Sequence, residues 1–477
     1  MPLNRAGVVI MLVAPMATMA QERRPGVSTP TTITGPIASP APPGDPSRNY
    51  PFFTTSDLAA KYDYIEEEYF VEGHAALYRR DGEGTATVDT AGPYPYKTRV
   101  LVRRPRSPGR FNGTVILEWI NAVPIRQWDF ETDWNLTNEH LMRRGFVHVG
   151  ASVGRLGIHT PTGLRAWNPA RYGTLDVTAN SAFENDELSV AIFSQIAQAL
   201  KNPSGTSLAG TLRVRNVIAT GQSASAGQLR GYYNSVHPLD KVVDGFVLHG
   251  AGQSLRADVR TPVFKLMAES DVIRVQAAIR QPDSDYLRTW EVAGASHLDV
   301  DVMRAHQRLR DRDRPDINGP QQPSCGGNLQ ASRVPARLVQ DAVYDWMKQW
   351  VEGTALPPRA PPIEMVSIVP PGNGPEGLSV VRRDENGNAQ GGIRLATFAV
   401  PVATNTGRNE LPGQCFAYGS YAPFDSATVV RLHPTRAVYL DKVSRVADEN
   451  LRAGFVTPEG AEQMKRDVAA WRWPGST

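Results

Sequence analysis

The chain is poor in the features that mark several classes of function. Only two of its 477 residues are cysteine, Cys325 and Cys415, and they lack the spacing of any metal site. No later segment is apolar enough to span a bilayer, which takes roughly 20 apolar residues. No dinucleotide fingerprint or phosphate-binding glycine loop occurs, so no cofactor is implied. Charge of one sign is scarce too: 51 basic residues stand against 48 acidic ones, a formal net charge of +3, well mixed along the chain. Such a chain presents no one-sided field to a phosphate backbone or an anionic lipid surface, and nucleic acid is not an expected partner.

What is present describes a folded body behind an unusual start. With 41% hydrophobic and 21% charged residues, most of the chain has the composition to fold. Within the first twenty residues Arg5 is the only charge, Ala6 to Ala17 is an apolar run, and Ala17-Thr18-Met19-Ala20 offers small residues for cleavage. That is the pattern of a signal peptide over residues 1–20, so a periplasmic or secreted location is expected. In that setting Cys325 and Cys415 either form one disulfide or remain two buried thiols. Residues 21–50, rich in Pro, Gly and Ser, read as an extended leader.

The pattern of elements then changes along the chain. Tyr64–Val71, Ala75–Tyr78 and Thr98–Val102 are short β-like runs divided by turns, an antiparallel lead-in. From residue 114 short, mostly apolar runs alternate with helical stretches. The expected strands are Thr114–Trp119, Phe146–Ala151, Val214–Thr220, Gly245–His249, Val263–Met267 and Tyr286–Val292. The expected helices are Asn138–Arg144, Glu187–Lys201, Ala226–Val236 and Pro335–Val351. This order predicts an α/β architecture, a mostly parallel sheet covered by helices on both faces. Residues 51–355 would form that body, with residues 154–185 as a cleft wall or lid. After the Pro-rich stretch 357–362, residues 356–477 form a C-terminal extension packed on the same domain, ending in a helix from Pro458 to Trp471.

One segment carries chemistry. Val217-Ile218-Ala219-Thr220 leads as a strand into Gly221-Gln222-Ser223-Ala224-Ser225, and a helix follows. This is a nucleophile elbow, G-x-S-x-G, with serine for the last glycine. Small residues are needed on both sides because the serine sits strained at the tip of a tight turn. Ser223 holds the nucleophile position, and Ser225 fills the second small position, pointing away. A serine hydroxyl needs a base. His297 follows an apolar strand and a Gly-containing turn, where such a fold presents its base. His237 ends the elbow helix and reads as a C-terminal cap, whereas His249 ends the next strand and could line the cleft floor. The orienting acid should follow the strand ending at Met267. Asp271 has the better spacing there, and Glu269 is the alternative. The oxyanion hole would take the N–H of Ala224 and a donor from Ile120, Asn121 or Ala122, with Asn121 either a side-chain donor or a turn residue.

At these residues the sequence resembles a bacterial family of alpha/beta hydrolase domain-containing proteins, from about Tyr64 onward. The resemblance is carried by Glu67-Glu68-Tyr69-Phe70-Val71-Glu72-Gly73, Glu118-Trp119-Ile120-Asn121 and Arg143-Arg144-Gly145-Phe146. It continues through Asp283-Ser284-Asp285, Trp290-Glu291-Val292-Ala293-Gly294 and Gly391-Gly392-Ile393-Arg394. It implies the α/β-hydrolase fold and serine chemistry, and little about substrate. The family pattern resembles G-x-S-Q-S, and here Ala224 replaces the glutamine. That position acts through its N–H, so the oxyanion role is kept. The expected reaction is cleavage of a small-molecule carboxylic ester through an acyl-enzyme. Acyl transfer by the same residues, or a non-catalytic extracellular binding protein on this fold, are the alternatives.

Overall fold

Runs of residues that can be buried on both faces form the centre of a large twisted sheet. The computed structural model describes residues 29–474 except 81, 83, 125, 275, 318–329, 368–378 and 410–412. The expected signal peptide, the start of the leader and Cys325 lie outside the described residues. Apart from three small two-stranded sheets, the strands are β1 (Thr32–Thr34), β2 (Tyr64–Ala75), β3 (Tyr94–Pro105), β4 (Thr114–Trp119), a hairpin of β5 (Asn121–Val123) and β6 (Arg126–Phe130), β7 (Val147–Ser152), β8 (Asn216–Gln222), β9 (Gly245–His249), β10 (Val263–Ala268) and β11 (Leu287–Val292). All but the hairpin join one sheet in the order β1-β2-β3-β7-β4-β8-β9-β10-β11. Pairing is antiparallel from β1 to β7 and parallel from β7 to β11.

Successive side chains of a strand leave on opposite faces, and the two faces have separate cores. Val217 and Ala219 of β8 enter one, Ile218 the other. The second core also takes Val443, Ala447, Met464 and Val468 from the last two long helices, so the residues after 356 cover one face of the sheet. From Thr114 onward the expected strands are all present, with ends shifted by no more than two residues, whereas in the lead-in Tyr64–Val71 and Thr98–Val102 lengthen into β2 and β3 and Ala75–Tyr78 forms no strand of its own.

Three differences from the sequence reading have physical causes. Residues 29–50 are not a free leader. Thr31 and Ile37 N–H donate at 2.8 Å to Glu72 and Glu68 carbonyls, and β1 pairs with β2. The segment satisfies an edge that would otherwise expose unpaired backbone groups. The helix expected from Asn138 begins six residues earlier, as α1 (Thr132–Arg143). Its first N–H groups, of Asp133 and Trp134, donate to the Glu118 carboxylate at 3.0 and 2.9 Å. That cap comes from another strand, so no local signal reveals it.

The third difference is an additional helix after His297. In chain order the insertion holds α2 (Arg155–His159), α3 (Leu164–Trp167) and α4 (Pro169–Tyr172), and the body continues with α5 (Ser189–Lys201), α6 (Ala224–Ser235), α7 (Glu269–Arg274) and α8 (Val300–Asp313). Half of the α8 residues are charged, which hid it. It starts on an Asp299 side chain that accepts from Asp301 and Val302 N–H at 3.0 and 2.9 Å. Ile158, Leu164, Trp167 and Tyr172 of the insertion are buried, and Trp167 Nε1–H donates to Asp313 O at 2.7 Å, joining the insertion to α8. No helix among the described residues is long and apolar enough to cross a membrane.

Candidate active site

Ser223 caps the N-terminus of α6 with φ 59° and ψ −116°, a conformation L-residues rarely adopt. Two backbone bonds hold it there. Ser223 N–H donates to His249 O at 2.8 Å, and Gly227 N–H donates to Ser223 O at 3.0 Å. Gly221 lies in a tight space: a Cβ there would stand 3.1 Å from Ser225 Oγ and 3.2 Å from the Ser225 carbonyl carbon, so the turn would have to give by a few tenths of an ångström. Ser225 itself is buried, and its hydroxyl donates to Gln222 O at 2.9 Å, turned away from Ser223.

The Ser223 hydroxyl donates to His297 Nε2 at 2.7 Å. On the other side of the ring, Nδ1–H donates to Asp271 Oδ1 at 2.7 Å. Asp271 also accepts from Ala268 N–H at 3.0 Å. Burial opposes ionisation of Asp271, yet the His297 ring, its hydrogen bond, the Ala268 N–H and His249 together hold the carboxyl below its usual range. Gly250, at φ +75°, lies beneath this pair. A Cβ there would stand 3.1 Å from His297 Nδ1 and 3.3 Å from Asp271 Oδ2.

Glu269 does not meet His297. Its carboxylate accepts from Gly294 N–H at 2.7 Å and pairs with Arg383 at 2.8 Å, so it braces the turn that leads to His297. His249 turns its ring to a different acid: Nδ1 lies 2.9 Å from Asp133 Oδ1. Burial disfavours its charged form, but the hydrogen bond and charge of Asp133, with Asp271 and Asp299, raise its pKa. His237 opens a short turn after the elbow helix, and its Nε2 lies 2.8 Å from Thr261 Oγ.

Ala224 is the first residue of α6, where helical N–H groups have no intrahelical acceptor. Ile120 is not available as a second donor, because its N–H donates to Ala151 O at 3.2 Å. Asn121 opens β5, and its Nδ2 donates to Gln222 Oε1 at 3.1 Å. Gln222 stood inside the motif without a role in the sequence reading. Its side chain meets both Asn121 and His297, a contact that depends on the base loop arriving from 75 residues away. No cluster of three or more His, Cys, Asp or Glu among the described residues is arranged to hold a metal ion.

The chain fits the model of the alpha/beta hydrolase domain over residues 33–466. It belongs to the alpha/beta hydrolase domain family. The fold expected from the resemblance is therefore the fold found. No curated protein matches the chain. Among solved structures it is similar to an alpha/beta serine hydrolase without a lid from Xanthomonas campestris, at 12% identity and a TM-score of 0.27, covering 52% of this chain and 97% of that one. It is similar also to a glucuronoyl esterase from Solibacter usitatus, at 8% identity and a TM-score of 0.27, covering 52% of this chain and 81% of that one. The family match, and not these partial likenesses, establishes the fold class.

Proposed function

We propose that this hydrolase-fold protein is a serine esterase that cleaves small-molecule carboxylic esters through an acyl-enzyme. The observation that carries the reading is the alignment of Ser223 Oγ, both ring nitrogens of His297 and Asp271 Oδ1, with 2.7 Å at each junction. Ser223 Oγ attacks the ester carbonyl carbon while His297 Nε2 takes its proton. The tetrahedral oxyanion is met by the Ala224 N–H and a second donor from the Asn121–Ala122 segment. Collapse expels the alcohol, which receives the proton from His297. A water molecule then repeats the sequence on the acyl group. Asp271 keeps the ring proton on Nδ1 and stabilises the imidazolium.

Ser223 is half-buried and Ala224 is exposed, so bulk water has access to the acyl group for the second half of the reaction. Labelling with a fluorophosphonate, followed by peptide mapping, tests the mechanism and names the serine. Label on the Ser223 peptide is the expected result, and no label on that peptide overturns the reading. We propose in addition that the protein is exported, because Cys415 is disulfide-bonded and such bonds persist in oxidising compartments.

A further inference from the structure

Gln222, immediately before Ser223, is 2% exposed, and its carboxamide is engaged at every position inside the site. Nε2 lies 3.2 Å from the His297 carbonyl oxygen and 3.2 Å from His297 Nε2. Oε1 accepts from Asn121 Nδ2 at 3.1 Å. A carboxamide has two N–H donors and one carbonyl acceptor, so both hydrogens face His297 and the oxygen faces Asn121. The reverse orientation would set Oε1 against the His297 carbonyl oxygen and two NH2 groups against each other. The amide is therefore locked with its donors toward the base.

We infer that Gln222 is a positioning residue that fixes the tautomer of His297 from the Nε2 side and ties the base loop to the loop that follows β4, an inference that rests on the serine-esterase reading above. His297 Nε2 has one lone pair, which the Ser223 O–H takes at 2.7 Å, and the Gln222 NH2 beside it at 3.2 Å offers no acceptor for a proton on Nε2, so the ring proton belongs on Nδ1. Asp271 accepts it there. The tautomer is thus set from both ends of the ring. The bond to the His297 carbonyl anchors the backbone that carries the ring. Asn121 acts as the tether of Gln222, and its own Oδ1 is buried without a hydrogen-bond partner.

The test is kinetic, on the full chain with p-nitrophenyl acetate and a fluorophosphonate probe. Gln222→Met keeps the length and removes the donors. It should lower kcat and the phosphonylation rate by about tenfold or more, with KM within about twofold, because misplaced general-base catalysis is lost in the transition state. Gln222→Glu presents an acceptor to the His297 carbonyl and should lose on the order of 100-fold. Asn121→Ala should lose less alone and nothing further on the Gln222→Met background, since the two act through one path. Thermal unfolding of each variant separates folding from placement. A Gln222→Met or Gln222→Glu enzyme whose kcat stays within twofold of the parent overturns the inference. So does additive loss in the double variant. Ser223→Ala run alongside isolates the premise: continued labelling or turnover there removes Ser223 as the nucleophile and with it the triad reading, whereas its loss together with normal Gln222 variants removes only the role of Gln222.

Discussion

His297 Nε2 and Ser223 Oγ lie 2.7 Å apart although 74 residues of sequence separate them. The serine arrives on the turn after β8 and the histidine on the turn after β11, so the parallel sheet sets the distance between them. A pair held in this way acts as one unit, and loss of either member should remove most of what both do.

Ser223→Ala should therefore abolish ester cleavage, with a loss of at least ~10⁴-fold in kcat, while the thermal transition stays close to that of the parent. Ser225→Ala should keep most activity, because its hydroxyl is engaged by the Gln222 carbonyl. Turnover of a chromogenic ester by the two purified variants decides between the serines.

The two acids after β10 should separate by the quantity they change. Asp271→Asn removes the charge that orients His297 and should cost on the order of 10²–10⁴-fold in kcat with little change in stability. Glu269→Gln breaks a carboxylate that holds Gly294 N–H and Arg383, so the melting temperature should fall with kcat largely kept. A larger kcat loss for Glu269→Gln would exchange their roles.

Lys265 links stability to pH. It is fully buried, and Nζ donates to Gly252 O at 3.1 Å. Burial, with the nearby Arg230, lowers its pKa from 10.5 to about 8, against the pull of Glu291. Between those values the unfolded chain binds the proton and the folded chain does not, so stability should rise as pH increases from about 8 to 10.5. Below about 8 the full penalty applies. Lys265→Met should flatten this window and gain about 2 kcal/mol at pH 7, the shift of roughly 3 kcal/mol less the lost hydrogen bond of about 1 kcal/mol. Urea titrations at pH 7 and pH 10 measure both.

Cys415 is buried and disulfide-bonded, and Cys325 is the only other cysteine of the chain. Thiol counting on denatured, unreduced protein should find no free thiol, and non-reducing mass analysis should find one linked peptide pair. In the chain-entropy model, closing a loop on the order of 90 residues, as between positions 325 and 415, adds roughly 4–5 kcal/mol, so reduction should lower the melting temperature. Two titratable thiols per chain would contradict the bridge.

Much of this arrangement was legible before any coordinates. The apolar runs from Thr114 to Val292 had to be buried on both faces, which dictates a parallel sheet, and Gly221-Gln222-Ser223 could only be a strand-to-helix turn with a serine at its tip. Those are local facts of pattern and sterics. The contacts between distant segments were not. Spacing from the strand end favours Asp271 over Glu269, but both follow the same strand, and only the direction of each side chain in the folded turn decides which carboxylate meets His297. The start of α1 depends on the Glu118 carboxylate of another strand, and β1 depends on the open edge of β2. Gln222 shows the limit most sharply. Its place in the motif was plain, but its two donors acquired their partner only when the turn carrying His297 closed over the elbow, a contact set by sheet geometry and not by neighbouring sequence.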